Sequence, residues 1–473
     1  MARRSGKKLR WLVDIHIQNA APDHSFLQKH RWQMQHVTRK STCRLCGSSL
    51  LQLVLPILPS AIGDAFVNQE RLQETQEVYP LDCYLCFDCG HLQNLDVVDP
   101  EILFREYTYR TSVSLGLVEH FRNYARSVVS GLAIPKDSLV VEIGSNDGSL
   151  LKAFQAEGMR VQGIDPAREI AKIATQEGVP TIPDFFTSRI AGQIKAANGP
   201  AALFCANNVF AHIDNLSDVV TGVRTLLAPD GAFVFEVSYI IDMIDNMVFD
   251  TIYHEHVSHH ALLPMETFLN RHDMTLFDVV RTGTKGGSIR AFAQPMSTGK
   301  RPKSQQLTTL MAEEERRGIT QPQIYRDWFA AIESRKQDVL AYLDAAILAG
   351  KTVAAYGAST TTTTLLYHFE LTSRIAFIVD DNALKHGLFS PGAHIPVLPS
   401  QELAARKPDI VVILAWIYAE PIVTRNAEFV RNGGTFLIPL PEAKTIDMHG
   451  AAALKHKVDA AALASPVEPR IRH

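Results

Sequence analysis

The sequence predicts an α/β protein. A parallel sheet is wound with helices on both faces, a small metal-stapled domain precedes it, and a second, smaller α/β unit follows. Three observations carry that expectation. Apolar runs ending in glycine or an acid alternate with helical segments over residues 101–295. The alternation resumes over 351–446. Five of the six cysteines lie in the first hundred residues, four of them in two Cys-x-x-Cys-Gly motifs.

The chain has 473 residues, room for about three domains. Apolar residues make up 46% and charged residues 21%, an ordinary soluble composition. A net charge of -3 gives no basis for nucleic acid as a partner. No apolar run reaches the roughly 20 residues that cross a bilayer, so no membrane partner is expected. Residues 1–40 open with Arg3, Arg4, Lys7, Lys8 and Arg10 and show no apolar period. They read as a basic, disordered tail rather than an export signal. A cytoplasmic protein, monomeric or weakly dimeric, is expected.

Residues 41–100 hold the two knuckles, Cys43 with Cys46 and Cys86 with Cys89, each followed by glycine. Each motif puts two thiolates on one tight turn, and the glycine permits the positive φ that the turn needs. Four thiolates close a tetrahedral Zn²⁺ shell with no open position, so the zinc is structural. A segment this small buries too little apolar surface to fold alone, and the metal supplies the difference. Cys83 leaves an alternative open, because Cys83 and Cys86 also form a Cys-x-x-Cys pair. Between the knuckles lie 39 residues, more than a zinc ribbon usually has.

In 101–295, strands are expected at 138–144, 159–165, 201–206 and 231–237, with a helix at 167–177 and a closing hairpin of 277–281 with 288–293. The first strand runs into Glu142, Gly144, Asn146, Asp147 and Gly148. Glycines there let a ligand approach the backbone, and Asp165, ending the next strand, can accept ribose hydroxyls. Dinucleotide binders share this logic but use Gly-x-Gly-x-x-Gly, which is absent. The acids of this loop repel a pyrophosphate and favour a ligand that is cationic, such as the sulfonium and ammonium of S-adenosylmethionine. Asp184 and Phe185 are placed to hold the adenine, and Asn207 follows the third strand. These features predict a class I S-adenosylmethionine methyltransferase core.

After the fourth strand come Tyr253, His254, Glu255 and His256. Neither helix nor strand sends 254, 255 and 256 in one direction, which disfavours a metal. Acid–base chemistry fits. Methylating carbon requires removing a proton next to a ketone and stabilising the enolate oxygen. His256 is the expected base, Glu255 its orienting carboxylate and Tyr253 the donor to the oxyanion. His212, beyond the third strand, faces the same crevice.

Residues 296–350 are expected to be a helical linker whose acids and arginines at 313–317 form a solvated charge run. Residues 447–473 read as an alanine-rich frayed helix and tail.

Together these residues resemble the sugar C-methyltransferases that make branched deoxysugars, including the nucleotide-hexose 3-C-methyltransferases. The likeness runs from about residue 41 to 441 and rests on the knuckles, on Tyr107-x-Tyr109, on the 142–148 loop, on 253–256 and on Gly286-Gly287-Ser288-Ile289-Arg290. It implies a zinc domain, a methyltransferase core and a carboxyl-terminal Rossmann-like domain. It implies a nucleotide-linked sugar ringed by Tyr253, Glu255, His256, His212 and Tyr107 or Tyr109. The chain departs from its relatives at Thr361, Thr362 and Thr363, where lysine, glycine and asparagine are usual, and at Ile417, usually asparagine. A cationic phosphate contact is then missing, and read alone the threonines are a helix start with spare hydroxyls. Two further readings are a methyltransferase of this fold acting on another ketone or on oxygen or nitrogen, and a zinc and nucleotide-sugar binding protein without activity.

Overall fold

A computed structural model describes residues 36–105 and 117–454. The chain divides at Thr38 and Arg39, and the larger unit, Arg39–His473, holds every element discussed below. Most of the basic tail, Tyr107, Tyr109 and the chain beyond 454 lie outside the described residues. Structure begins before residue 41: Arg39 pairs with Asp96 at 2.5 Å and Lys40 with Asp214 at 2.9 Å.

The metal domain is a small antiparallel sheet. Leu51–Leu55 (β1), Cys83–Cys86 (β2) and Leu92–Asn94 (β3) pair in chain order. A fourth strand, Ser258–His259 (β9), comes from far along the chain and pairs with β3. The long stretch between the knuckles has a use. It reaches the carboxyl-terminal unit, where Val67 and Phe389 exchange backbone hydrogen bonds of 3.1 and 2.8 Å.

The central sheet contains Leu139–Ile143 (β4), Arg160–Ile164 (β5), Thr181–Ile182 (β6), Ala201–Asn207 (β7), Leu227–Ser238 (β8), Met274–Thr282 (β10) and Ser288–Pro295 (β11). Their order is β10-β11-β8-β7-β4-β5-β6. Every pairing is parallel except those of β11, which runs against both neighbours. This is the class I methyltransferase order. Strand alternation splits the core between the two faces. Val140, Leu203, Val234 and Phe292 point into one apolar cluster, and Val141, Phe204, Phe233 and Phe235 into the other. The order in which strands are added reverses at β4, with β5 on one side and β7 on the other, which opens a crevice at the strands' carboxyl ends.

The carboxyl-terminal sheet contains Val353–Tyr356 (β12), Ile378–Asp380 (β13), Val397–Pro399 (β14), Ile410–Ile413 (β15) and Thr435–Ile438 (β16). These run parallel in the order β14-β13-β12-β15-β16, a Rossmann-like arrangement. Lys444–Asp447 (β17) and Gly450–Ala453 (β18) extend it as an antiparallel hairpin. The expected alanine-rich helix therefore starts instead as an edge strand, because pairing with β17 outweighs the weak local preference of alanine.

The charge run at 313–317 also departs from expectation. Glu314, on the helix Gln305–Arg317, is fully buried. It accepts from the Leu262 and Leu263 N–H groups at 2.7 and 2.8 Å and from the Tyr239 hydroxyl at 2.9 Å. The helix Leu262–Asn270 has no side-chain cap of its own, and Glu314 supplies one from outside. The threonine hydroxyls are likewise not spare. Thr362 closes a capping box with Ser359, Thr363 donates to Gly63 O at 2.9 Å, and Thr364 donates to Ile252 O at 3.0 Å.

Candidate active site

The four knuckle thiols converge. Their sulfurs lie within 4.8 Å of one another, with Cys43–Cys89 at 3.6 Å and Cys46–Cys86 at 3.5 Å. Zinc–sulfur bonds of about 2.3 Å in a tetrahedron require sulfurs about 3.8 Å apart, so the residues fit the metal. Gly47 and Gly90 both have φ of 76°, and their N–H groups close the turns onto Cys43 O and Cys86 O at 2.9 and 2.8 Å. The thiol of Cys89, donating to Cys43, holds Cys43 down to about 5, whereas burial pushes Cys46 up to about 11. Cys83 stands apart. Its sulfur lies 3.6 Å from Asn94 Oδ1 and 3.7 Å from His259 Nε2.

A cavity of about 930 Å³ occupies the crevice. One end is lined by Glu142, Gly144, Asn146, Asp165, Asp184, Phe185 and Asn207. Burial pushes the Glu142 carboxyl up to about 8, as expected for an acid inside a central strand. Its Oε1 accepts from Asn207 at 3.4 Å, while its Oε2 and Asn207 Oδ1 have no partner among the described residues. Asp165 ties down two loops, accepting from Asn146 N at 2.8 Å and Ala167 N at 2.9 Å. Arg105 pairs with Asp184 at 3.2 Å and covers the Phe185 ring at 4.6 Å.

The glycines also meet a packing need. A Cβ at Gly144 would strike Val209, and one at Gly148 would strike Val179, and both residues have positive φ. Packing requires them, whatever the ligand. Asp147 and Gly148 do not line the cavity. Asp147 is buried and accepts from the Ser149 hydroxyl at 2.6 Å and from the Ser149 N–H at 3.3 Å, at the start of the helix Ser149–Ala156.

The other end of the cavity is lined by His212, Glu236, Tyr253, Glu255, Thr284 and Lys285. His256 is behind this wall. Its Nδ1 is 2.7 Å from Thr251 O, which accepts only, so that nitrogen carries the hydrogen. Its Nε2 is then an acceptor, and the Tyr253 hydroxyl donates to it at 3.1 Å. Burial pulls His256 down to about 3. The Thr251 carbonyl, not Glu255, orients the ring. Glu255 faces the cavity, and burial pushes its carboxyl up to about 7, Asp64 raising it and Lys285 lowering it. His254 turns away, with Nε2 3.2 Å from Tyr79 O, so the three neighbours diverge as backbone geometry requires. Among the described residues, only the cysteines form a metal-ligand cluster. His212 stacks on Phe104 at 5.5 Å and lies 4.9 Å from the His256 ring.

Three further residues line the cavity. Phe104 ends a short helix in the metal segment. Glu236, on β8, is ion-paired with Arg290 at 2.8 Å and repeats the pattern of Glu142, an acid near the end of an apolar strand. Lys285 follows a threonine in a glycine-rich turn, a context with no recognisable pattern. Its side chain is exposed and lines the cavity, and partial desolvation there lowers its pKa.

Comparison with known proteins bears on this geometry. Residues 43–104 match a zinc binding domain family, 117–275 a methyltransferase domain family and 283–441 a C-methyltransferase C-terminal domain family. The chain is 34% identical over 415 residues to the C-methyltransferase NovU of Streptomyces niveus, covering 87% of this chain and 99% of that one. The chain belongs to the C-methyltransferase family. Solved structures similar to it include a magnesium protoporphyrin IX methyltransferase from Synechocystis, 18% identical over 37% of this chain and 83% of that one with a TM-score of 0.30. Another is an S-adenosylmethionine-dependent methyltransferase from Clostridium acetobutylicum, 11% identical over 39% of this chain and 92% of that one with a TM-score of 0.31.

All three segments of this C-methyltransferase contribute to the cavity. The zinc segment supplies Phe104, the methyltransferase segment Glu142, Asp165, Tyr253 and Glu255, and the C-terminal segment Lys285, Ile417 and Tyr418. Among the described helices, none is long and apolar enough to cross a membrane.

Proposed function

We propose that this C-methyltransferase transfers the methyl group of S-adenosylmethionine to a carbon next to the ketone of a nucleotide-linked 4-keto-deoxysugar. The observation that carries the reading is the pairing of two unlike ends in one cavity. At one end are Glu142, Asp165 and Asn207, rich in acceptors and without an ion pair among the described residues, which suits a cationic donor with ribose hydroxyls. At the other is Glu255, poised near neutrality beside Tyr253 and His256.

Glu142, Asp165 and Asn207, with the 144–146 loop, would hold the donor, and Asp184 and Phe185 its adenine. Bound there, S-adenosylmethionine supplies an electrophilic methyl group. We assign proton removal to Glu255. A base is most effective when its pKa lies near the working pH, and Glu255 meets that condition while His256 does not. The free nitrogen of His256 is also occupied by Tyr253. Tyr253 and His256 then form a neutral, fixed wall that orients the sugar. His212 and the tyrosines at 107 or 109 complete it in this reading. The nucleotide would extend towards Ile417 and Tyr418. Zinc held by reduced thiolates suits the cytoplasm in this reading.

The test is mass spectrometry after incubation with S-adenosylmethionine and dTDP-, GDP- and CDP-linked 4-keto-6-deoxyhexoses. A gain of one methyl group on carbon supports the reading, and no gain across the panel rejects the substrate class. Methylation of oxygen or nitrogen would instead proceed without deuterium uptake from heavy water next to the ketone.

A further inference from the structure

An enolate needs a partner for its oxygen, and the group expected to provide it is engaged. The Tyr253 hydroxyl donates its only proton to His256 Nε2 at 3.1 Å. Among the described residues that line the cavity, Lys285 is the only lysine or arginine. It stands at the proton-transfer end: its charge acts on Glu255, His256 and His212, and it does not figure among the charges acting on Glu142 or Asp165.

The backbone gives independent support. Lys285 has φ 52° and ψ 32°, a left-handed conformation that a side chain disfavours. The turn has glycine at 283, 286 and 287, yet it keeps a lysine at this strained position. The conformation is held from both sides. Thr284 donates to Glu236 Oε1 at 3.1 Å, Asn246 donates to Gly286 O at 2.9 Å, and Tyr239 N donates to Gly287 O at 3.3 Å. Strain that the surroundings impose on a cavity-lining residue points to a function for its side chain.

We propose that Lys285 is a catalytic residue whose ammonium takes the negative charge of the enolate oxygen. The inference rests on the reading above. Glu255 takes the proton, the C–H electron pair becomes the carbon–carbon π bond, and the carbonyl π pair moves onto oxygen beside Lys285 Nζ. The same electrons return when the carbon bonds the methyl group, restoring the ketone and leaving the donor as a neutral thioether. A preformed cation on the cavity lining is placed to stabilise this charge as it develops.

The test separates the side chain from the strain. Deuterium uptake next to the ketone is followed by NMR in heavy water with S-adenosylhomocysteine, using whichever panel sugar the wild type exchanges. Lys285→Gly relieves the backbone, so its melting temperature should be no lower than that of wild type. Its exchange rate should fall at least 100-fold, with S-adenosylhomocysteine affinity within twofold of wild type. Lys285→Met should lose as much, Lys285→Arg should retain more than a tenth, and small alkylammonium ions should partly restore Lys285→Gly. Exchange within threefold of wild type in Lys285→Gly overturns the proposal, as does a raised KM with unchanged exchange, the pattern of a phosphate contact. If wild type exchanges no panel sugar, the substrate reading fails and this proposal falls with it.

Discussion

Glu255 and His256 are adjacent in sequence and equally enclosed, yet burial moves them to opposite ends of usefulness. Desolvation penalises the charged form, so it raises an acid and lowers a base. Glu255 rises to about 7 and His256 falls to about 3. The proposed function therefore exchanges the expected division of labour, histidine as base and glutamate as orienter. The sign of the pH dependence follows. Glu255 works as a base only when ionised, so the rate should rise about tenfold per pH unit up to about 7 and then level. Glu255→Gln should lose about 10²- to 10⁴-fold in kcat and flatten that limb. A rate limb near 7 that survives in Glu255→Gln would return the role to another group. At this scale the sequence was most legible where chemistry fixes spacing, as in the knuckles and the Glu142–Asp165 pair. It was least legible where a role depends on which way a side chain faces. Asp147 looks like a ligand-binding acid and caps a turn, and Glu314 looks solvated and is buried.

At the scale of elements, long apolar strands were readable because a parallel sheet buries both faces. The two-residue strand β9 was not, since two residues carry no period. That strand matters most for how zinc supports the site. Ser258 and His259 pair with Gln93 and Leu92 in the metal domain's sheet, and Val257 O accepts from Asn94 N at 3.1 Å. The segment holding Tyr253, Glu255 and His256 is thus anchored to the zinc fold. Cys86→Ser should therefore lose zinc, melt at lower temperature and lose turnover, although no zinc ligand lines the cavity. Cys83→Ser should keep one zinc per chain by elemental analysis, and loss of zinc there would reassign the second knuckle. Glu314 offers a separate check. Gln at 314 has one acceptor oxygen for the three donors that converge there, so Glu314→Gln should cost about 1–3 kcal/mol in denaturant unfolding. No change would show that the donors find other partners.

Over the whole molecule, two short turns, Phe249–Thr251 and Trp416–Tyr418, meet beside the cavity. Trp416 Nε1 donates to Asp250 Oδ2 at 2.9 Å, and the next two residues, Ile417 and Tyr418, line the cavity. Asp250 is buried, its other oxygen has no partner among the described residues, and burial pushes its carboxyl up to about 7. An acid whose folded pKa exceeds its unfolded value of about 3.9 holds a proton that unfolding releases. The Asp250 contribution to stability should therefore fall as pH rises from about 4 to about 7, then level, so the unfolding free energy of Asp250→Asn relative to wild type should rise over that range and be flat above it. Removing the donor has a different consequence. Trp416→Phe leaves the carboxyl without its bond and frees the 416–418 turn, so KM for the sugar nucleotide should rise about tenfold, the factor that about 1.4 kcal/mol makes. S-adenosylhomocysteine binding, proposed for the Glu142 end, should stay within twofold. If both ligands weaken together, the contact holds the whole crevice in shape and does not act on the sugar end alone.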